Sequence, residues 1–292
     1  MADVPRETIQ KVIGTRRLKE PMPKPAHGRI FVVANQKGGV GKTTTAVNIA
    51  AALSMGGLKV LVVDLDPQGN ASTALGVEHR VSMGVYEVLM GTTEIKNVIQ
   101  KVAGFPAFDC IPSNTSLAQA EINLVSMVAR ESRLKDALSE IKENYDYIFI
   151  DCPPSLGLLT INALVAAQEL LIPIQCEYYS LEGLTLLLHT VSLIQEHLNP
   201  NIKLTTILLT MFDGRTRLAN DVAAEVRKHY SAELIDIPIP RAVRISEAPS
   251  YGQTVMTYDP ASNGAEAYGL VAREIARRGA LSSNSNSEKG VG

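Results

Sequence analysis

Short apolar runs rich in β-branched residues recur along this chain, and helical patterns fill the intervals between them. The runs predict strands at residues 30–34, 59–66, 147–151, 169–174 and 205–212. The clearest helical patterns cover residues 42–57, 129–145, 181–198, 219–230 and 264–278. Because the runs are almost entirely apolar, each strand is expected to be buried on both faces, as in a parallel sheet. The alternation predicts an α/β fold: a doubly wound, mostly parallel sheet with helices on both faces.

The two ends of the chain depart from this pattern. Residues 1–28 contain six Lys/Arg, three Asp/Glu and four prolines, which favours a flexible arm with a short helix around residues 7–18. The Ser- and Asn-rich segment 281–292 predicts a disordered tail. Residues 29–280 are therefore expected to form one domain.

Composition narrows the class of protein. Hydrophobic residues make up 46% of the chain and charged residues 20%, which predicts a well-filled core. Cys110, Cys152 and Cys176 are too scattered for a disulfide framework or a C-x-x-C metal site, and Cys152 and Cys176 are expected to be buried. We expect a cytoplasmic protein, because no apolar run approaches the roughly 20 residues of a membrane span and no signal-peptide core is present. The formal net charge of −2 does not indicate nucleic-acid binding.

The segment NQKGGVGKTTT, residues 35–45, follows the first predicted strand and leads into the first predicted helix. It resembles the phosphate-binding pattern G-x-x-x-x-G-K-[ST], although Gln36 stands where the first glycine is expected. Glycines allow backbone N–H groups to approach phosphates closely, Lys42 is expected to reach the β- and γ-phosphates, and the Thr43 hydroxyl to bind Mg²⁺. The predicted nucleotide-binding residues of the loop are Lys37, Gly38, Gly39, Val40, Gly41, Lys42, Thr43 and Thr44.

Carboxylates follow two other predicted strands. Asp64 and Asp66 end the run VVDLD, and Asp151 ends YIFID. Mg²⁺ that carries phosphates requires oxygen ligands, so Thr43, Asp66 and Asp151 are the predicted magnesium site, and Asp66 is a candidate to orient an attacking water. The alternative is that these aspartates only cap the turns that follow them.

Five segments together resemble the ParA/Soj chromosome or plasmid partition ATPases. They are KGGVGKTT, DLDPQGNAS, YDYIFIDCPPSLGLLTINAL, IPIQCEYYSLEGL and RAVRISEAPSYG, and the resemblance spans residues 30–278 in order. It implies an ATPase that dimerises when ATP is bound, with Lys37 as a lysine that crosses to the nucleotide of the partner subunit. The implied catalytic residues are Lys37, Lys42 and Asp66.

The same resemblance assigns several residues outside the loop. Met211 and Pro240 would flank the adenine, although Met211 alternatively just ends a buried strand. Glu177 would contact the loop across the dimer or cap the following helix. A ParB-like centromere-binding protein would stimulate ATP hydrolysis.

The resemblance also implies ATP-dependent binding to double-stranded DNA without sequence preference, and hence association with the nucleoid. Between residues 203 and 278 there are ten Lys/Arg but also nine Asp/Glu, so composition alone does not predict this activity. The prediction depends on arginines of two loops meeting on one face: Arg215, Arg217, Arg241 and Arg244. The alternative is an ordinary solvated surface.

Two other functions are consistent with a nucleotide-binding loop. One is a MinD-like positioning ATPase that binds membranes through a C-terminal amphipathic helix, but the residues after 280 lack bulky apolar anchors. The other is a nucleotide-gated scaffold that hydrolyses little ATP, and Asp66 argues against it.

Overall fold

One mixed sheet forms the centre of the molecule. The computed structural model describes residues 20–78, 81–178 and 180–287. The strands are β1 (Arg29–Val33), β2 (Val60–Asp64), β3 (Gln100–Lys101), β4 (Phe108–Ile111), β5 (Tyr147–Asp151), β6 (Glu169–Gln175), β7 (Lys203–Thr210) and β8 (Leu234–Ile235). Their order across the sheet is β3-β4-β2-β5-β1-β6-β7-β8. The described pairs are parallel except β3 with β4.

Helices connect the strands and cover both faces of the sheet. They are α1 (Lys42–Met55), α2 (Asn70–Ala74), α3 (Val85–Met90), α4 (Ala120–Val125), α5 (Arg133–Ser139), α6 (Leu158–Ala166), α7 (Ser180–His197), α8 (Arg217–His229), α9 (Val243–Glu247), α10 (Val255–Tyr258) and α11 (Asn263–Ser287). Single 3-10 turns lie at Ile95–Val98, Thr115–Gln119, Lys142–Asn144 and Ala248–Tyr251. The predicted α/β fold class is confirmed.

The central strands are apolar at every position because both of their faces are covered. Ile30 and Val32 of β1 belong to the core beneath α3–α8, whereas Phe31 and Val33 belong to the core beneath α1, α10 and α11. Alternate residues of a strand point to opposite faces, so a strand with helices on both sides has no polar face. The rings of Phe31 and Phe149 stack at a centroid distance of 5.3 Å across β1 and β5.

β1 occupies the position in the sheet where the connections change direction. β5 and β2 lie on one side of it, and β6 and β7 lie on the other. Loops that leave the carboxyl ends of β1 and its neighbours therefore diverge, and they leave a crevice between them. The phosphate loop leaves from this point.

The predicted strands and helices are present with small shifts of their ends, except for one helix. The pattern over residues 129–145 predicted a single helix, but α5 covers only Arg133–Ser139 and a 3-10 turn follows. Ala129 has a left-handed φ of 53°, which an α-helix cannot contain. The prediction missed the short strands β3, β4 and β8 because two to four residues are too few for a periodic pattern.

Both predicted domain ends need adjustment. Most of the predicted arm, residues 1–19, lies outside the described residues, but Met22 is buried and its N–H donates to Gly56 O at 2.9 Å. The arm therefore packs on the domain before residue 29. At the other end α11 continues to Ser287, so the predicted tail starts too early, and residues 288–292 lie outside the described part.

Two further expectations concern cysteines and membranes. Cys152 and Cys176 are buried, as predicted, and so is Cys110. In the described parts of the chain, no helix combines the length and the apolar character needed to cross a bilayer.

Candidate active site

The glycine loop connects β1 to α1 and adopts backbone angles that glycine permits. Gly39 has φ 74° and Gly41 has φ 87°, in the left-handed region that disfavours a β-carbon. A β-carbon added at Gly38 or Gly39 would meet no atom within 4 Å, so the rim of the loop is open. N–H groups of such a loop, followed directly by a helix N-terminus, provide donors and positive potential for phosphate oxygens.

The strands beside β1 hold this loop in place. Thr210 at the end of β7 donates its hydroxyl to Val40 O at 2.8 Å. The Asn35 side chain donates to Pro173 O of β6 at 2.8 Å and accepts from Lys37 N at 3.0 Å. The loop conformation thus depends on contacts that are distant in sequence.

The Lys42 side chain lies inside the loop. It is buried, and its Nζ donates to Lys37 O at 3.1 Å. Burial lowers the pKa of the Lys42 ammonium, while Asp151 and Asp66 oppose that change. A cation held beside backbone N–H groups suits a ligand of several negative charges.

Asp151 is a fully buried carboxylate, and within the described residues neither of its oxygens has a hydrogen-bond partner. Burial raises the pKa of Asp151 well above its ordinary value, and Asp64 raises it further, whereas Thr43 and Lys42 counteract the rise. Buried polar atoms without partners are rare. The arrangement fits Mg²⁺ with its bound water at Thr43, since the orphaned oxygens of Asp151 would accept from that water.

Asp64 and Asp66 have different surroundings despite their close spacing. Asp64 is fully buried, and it accepts from Ser72 N at 2.7 Å, from Ser72 Oγ at 2.6 Å and from Asp66 N at 3.3 Å. Burial raises the pKa of Asp64 to about 6, and the Ser72 hydrogen bonds limit the rise. Asp66 instead accepts from Gln68 N at 2.9 Å and lines a pocket. The capping alternative is correct for Asp64.

A pocket of about 680 Å³ extends from the glycine loop to the loop after β7. Its lining residues are Gly38, Gly39, Gly41, Lys42, Thr43, Thr44, Asp66, Gln68, Asn70, Pro154, Thr210, Met211, Ile239, Pro240, Arg241, Ala242, Ile245, Ser246, Pro249 and Tyr268. Met211 follows the end of β7 with a φ of 49° and shares this pocket with Pro240. The pocket is thus polar and cationic at one end and apolar at the other, which matches a nucleotide.

The Lys37 side chain points to an acid of its own chain. Its Nζ pairs with the Glu177 carboxylate in the loop after β6, and both side chains are half-exposed, at 41% and 45%. Glu177 also accepts Ser180 N through its carbonyl oxygen at 3.1 Å, at the start of α7. Both sequence-based alternatives for Glu177 therefore need revision, because the contact with the loop is made within one chain.

The structure brings the two predicted arginine loops together. Phe212 N donates to Ile239 O at 2.9 Å, and Arg241 N lies 3.4 Å from Phe212 O. Asp213 pairs with Arg215 at 2.7 Å, and the pKa of Asp213 is lowered to about 2 by Arg215, with a smaller effect of Arg241.

The other two predicted arginines also have acidic neighbours. Arg217 lies 3.5 Å from Asp221, and Arg244 lies 3.1 Å from Glu247 and 3.6 Å from Asp259. Arg215 and Arg217 are 89% and 95% exposed. These ion pairs resemble the solvated surface that was the alternative, but exposed pairs of this kind are weak and exchange readily.

Comparison with known proteins identifies the family. A sequence profile described as an AAA domain matches residues 28–204, more than half of the chain. The sporulation initiation inhibitor protein Soj of Bacillus subtilis is 52% identical over 253 residues, which are 86% of this chain and 100% of Soj. The chain belongs to the ParA/Soj family of P-loop ATPases.

Other members and solved structures agree with the ParA/Soj assignment. The chromosome partitioning protein ParA of Myxococcus xanthus is 47% identical over 86% of this chain and 89% of that protein. The fold matches the crystal structure of cobyrinic acid a,c-diamide synthase from Mycobacterium smegmatis with bound ATP analog and magnesium. That match has a TM-score of 0.74 at 38% identity, and it covers 86% of this chain and 95% of that one.

Several residues of this ParA/Soj site escaped sequence reasoning. Tyr268 of α11 reaches the pocket from more than 200 residues away and lies 3.4 Å from Thr45 Oγ1. Ile245 and Ser246 line the pocket too, within the quoted segment RAVRISEAPSYG. The signal for these two was present in that segment, but no local pattern pointed to Tyr268.

Proposed function

We propose that this chain is a chromosome-partitioning ATPase that binds ATP with Mg²⁺, dimerises and then binds double-stranded DNA without sequence preference. The observation that carries the proposal is the pocket. It joins the glycine loop and Lys42 to Asp66 and to the apolar walls of Met211 and Pro240. ParA and Soj relatives with 47–52% identity support the cellular process.

Each group at the polar end of the pocket has a defined task. Lys42 and the loop N–H groups hold the β- and γ-phosphates, Thr43 and Asp151 hold the metal and its water, and Met211 and Pro240 hold the adenine. Mg²⁺ neutralises charge that develops on the phosphate oxygens during transfer. Asp66 accepts a hydrogen bond from the attacking water and aligns it with the γ-phosphate, so its contribution is one of position.

Lys37 gives the site a dependence on the second subunit. In the free chain its ammonium is paired with Glu177. An exposed ion pair contributes only about 0–1 kcal/mol, so the phosphates of a partner's ATP would compete well for this lysine. Transfer of Lys37 from Glu177 to the partner's nucleotide would couple ATP binding to dimerisation.

The arginines of the two joined loops form the proposed DNA surface. Arg215 and Arg244 carry exposed guanidinium groups whose planar geometry suits phosphate oxygens. Dimerisation would double this surface, and association with the nucleoid would follow. A ParB-like centromere-binding protein is the proposed activator, in line with the ParA name of the relatives.

Steady-state ATP hydrolysis with Mg²⁺, titrated with duplex DNA of random sequence, tests the proposal. We expect slow basal turnover that rises with DNA and the activator. Asp66→Ala should retain ATP binding and lose turnover, whereas Asp236→Ala, at an exposed position paired with Arg227, serves as the matched control. Unchanged turnover in Asp66→Ala would remove Asp66 from the mechanism, and absence of hydrolysis in the parent would favour the scaffold function.

A further inference from the structure

Asp64 closes the loop that carries Asp66. Asp64 is the last residue of β2, and its two carboxylate oxygens bond to opposite ends of the following segment. Oδ1 accepts from Asp66 N at 3.3 Å, at the start of the loop. Oδ2 accepts from the N–H of Ser72 at 2.7 Å and from its hydroxyl at 2.6 Å, in α2 at the far end.

This closed loop is also fixed to the neighbouring strand. Ser72 Oγ accepts from Ser113 N at 3.2 Å, just after β4. Inside the loop, Gly69 N donates to Asp66 O at 2.9 Å, and Gln68 N donates to Asp66 Oδ1 at 2.9 Å. The fixed end of β2 thus determines where the Asp66 carboxylate lies in the pocket.

We propose that Asp64 is a positioning residue for ATP hydrolysis, acting through the Asp64–Ser72 clamp on Asp66. This inference rests on the proposed role of Asp66 in hydrolysis. Asp64 does not line the pocket, so it touches neither phosphate nor water itself. Its contribution is to restrict the loop, and small displacements of an orienting group are known to reduce turnover strongly.

Asparagine at position 64 is a specific test of the clamp. An amide offers one acceptor oxygen and one NH₂ donor group. The oxygen should face the two short Ser72 contacts, which places the NH₂ group against Asp66 N–H, at the weaker contact of 3.3 Å. Two donors then face each other at the start of the loop, so Asp66 is displaced while the size of the side chain is retained.

The experiment measures kcat, KM and the ATP dissociation constant of Asp64→Asn, Ser72→Ala, Asp66→Ala and the double variant Asp64→Asn/Asp66→Ala. Asp64→Asn should lower kcat by about 10- to 100-fold with ATP affinity unchanged. Ser72→Ala keeps the Asp64 charge and loosens the clamp, so a smaller loss of kcat is expected. The double variant should hydrolyse no more slowly than Asp66→Ala alone, because the clamp acts only through Asp66.

Asp109→Asn is the matched control. Asp109 is another buried aspartate on a neighbouring strand, bonded to Lys101 and to the Tyr145 hydroxyl at 2.8 Å, outside the pocket. It should lose stability without a change of kcat, whereas the clamp variants should lose kcat.

The outcomes separate this inference from the proposed function. If Asp66→Ala retains turnover, the proposed role of Asp66 is wrong and the clamp inference fails with it. If Asp66→Ala loses turnover while Asp64→Asn keeps it, the clamp inference alone is wrong. A double variant slower than Asp66→Ala, or a loss confined to ATP affinity, would show that Asp64 acts on general structure and would overturn the positioning role. If Asp64→Asn does not fold, Ser72→Ala decides, and its full retention of kcat would overturn the inference.

Discussion

Replacement of Asp151 by asparagine should stabilise the nucleotide-free protein and abolish its response to magnesium. Asp151 is fully buried, and within the described residues its carboxylate oxygens accept no hydrogen bond. An asparagine has the same size and no charge, so it keeps the packing and removes the cost of burying an anion. In the absence of ligand, the native carboxylate is therefore a source of strain that serves the metal site.

The expected gain follows from these two unpaired oxygens. A buried polar group without a partner costs about 1–3 kcal/mol, and more if it is charged. Lys42 offsets part of this cost by its attraction to Asp151, and the amide itself stays unpaired, so a net gain of about 1–2 kcal/mol is expected. For a domain longer than about 150 residues this corresponds to an increase in Tm of roughly 2–8 °C.

The gain should depend on pH in a defined direction. The folded-state pKa of Asp151 is raised. Below about pH 4, the ordinary pKa of an aspartate, the carboxyl is protonated in both the folded and the unfolded protein and costs nothing. Above that pH the unfolded chain ionises while the folded chain resists, so the stability of the parent falls as the pH rises towards the folded-state pKa. The advantage of Asp151→Asn should therefore grow from pH 5 to pH 8.

Differential scanning fluorimetry without ligand, with ATP and EDTA, and with ATP and Mg²⁺ measures both effects. The parent should gain Tm from Mg²⁺ over ATP alone, and Asp151→Asn should lose that increment together with hydrolysis. Asp109→Asn is the control, since it removes partnered contacts with Lys101 and Tyr145 and should lower Tm. The reasoning is refuted if Asp151→Asn melts below the parent without ligand and keeps the increment from Mg²⁺.

Three further predictions concern the dimer, the DNA surface and the fold. Lys37→Ala should bind ATP but stay monomeric by light scattering, whereas Glu177→Gln should dimerise more readily because it frees Lys37; equal dimerisation of all variants would contradict the crossing role. Arg215→Glu should weaken DNA binding by anisotropy and flatten the log-affinity against log-salt slope by about 0.9 per lost contact, and a parental slope would place the DNA surface elsewhere. Glu169→Gln leaves the guanidinium of Arg29, paired at 2.6 Å and nearly buried, without its anion, so urea unfolding should show a loss of about 2–3 kcal/mol; no loss would mean that the pair is neutral for stability.

Several features were predictable because their signals are local. The phosphate loop requires a strand, glycines and a helix start within about 15 residues, and the alternation of apolar runs with helical patterns indicates a parallel sheet. The positions of Gly41, Lys42 and Thr43 follow directly from that short segment. The resemblance to ParA/Soj proteins also brought Met211 and Pro240 to the site in advance, and they do line the same pocket.

The sequence by itself determined the class of fold and the cis phosphate loop, since neighbouring residues specify both. Only the tertiary structure decided that Asp64 caps its loop while Asp151 is left without partners, although both end buried strands. Only the tertiary structure paired Lys37 with Glu177, 140 residues away. Such contacts depend on which strands become neighbours in the sheet, and packing of the whole chain sets that order, whereas periodicity along one segment carries no information about it.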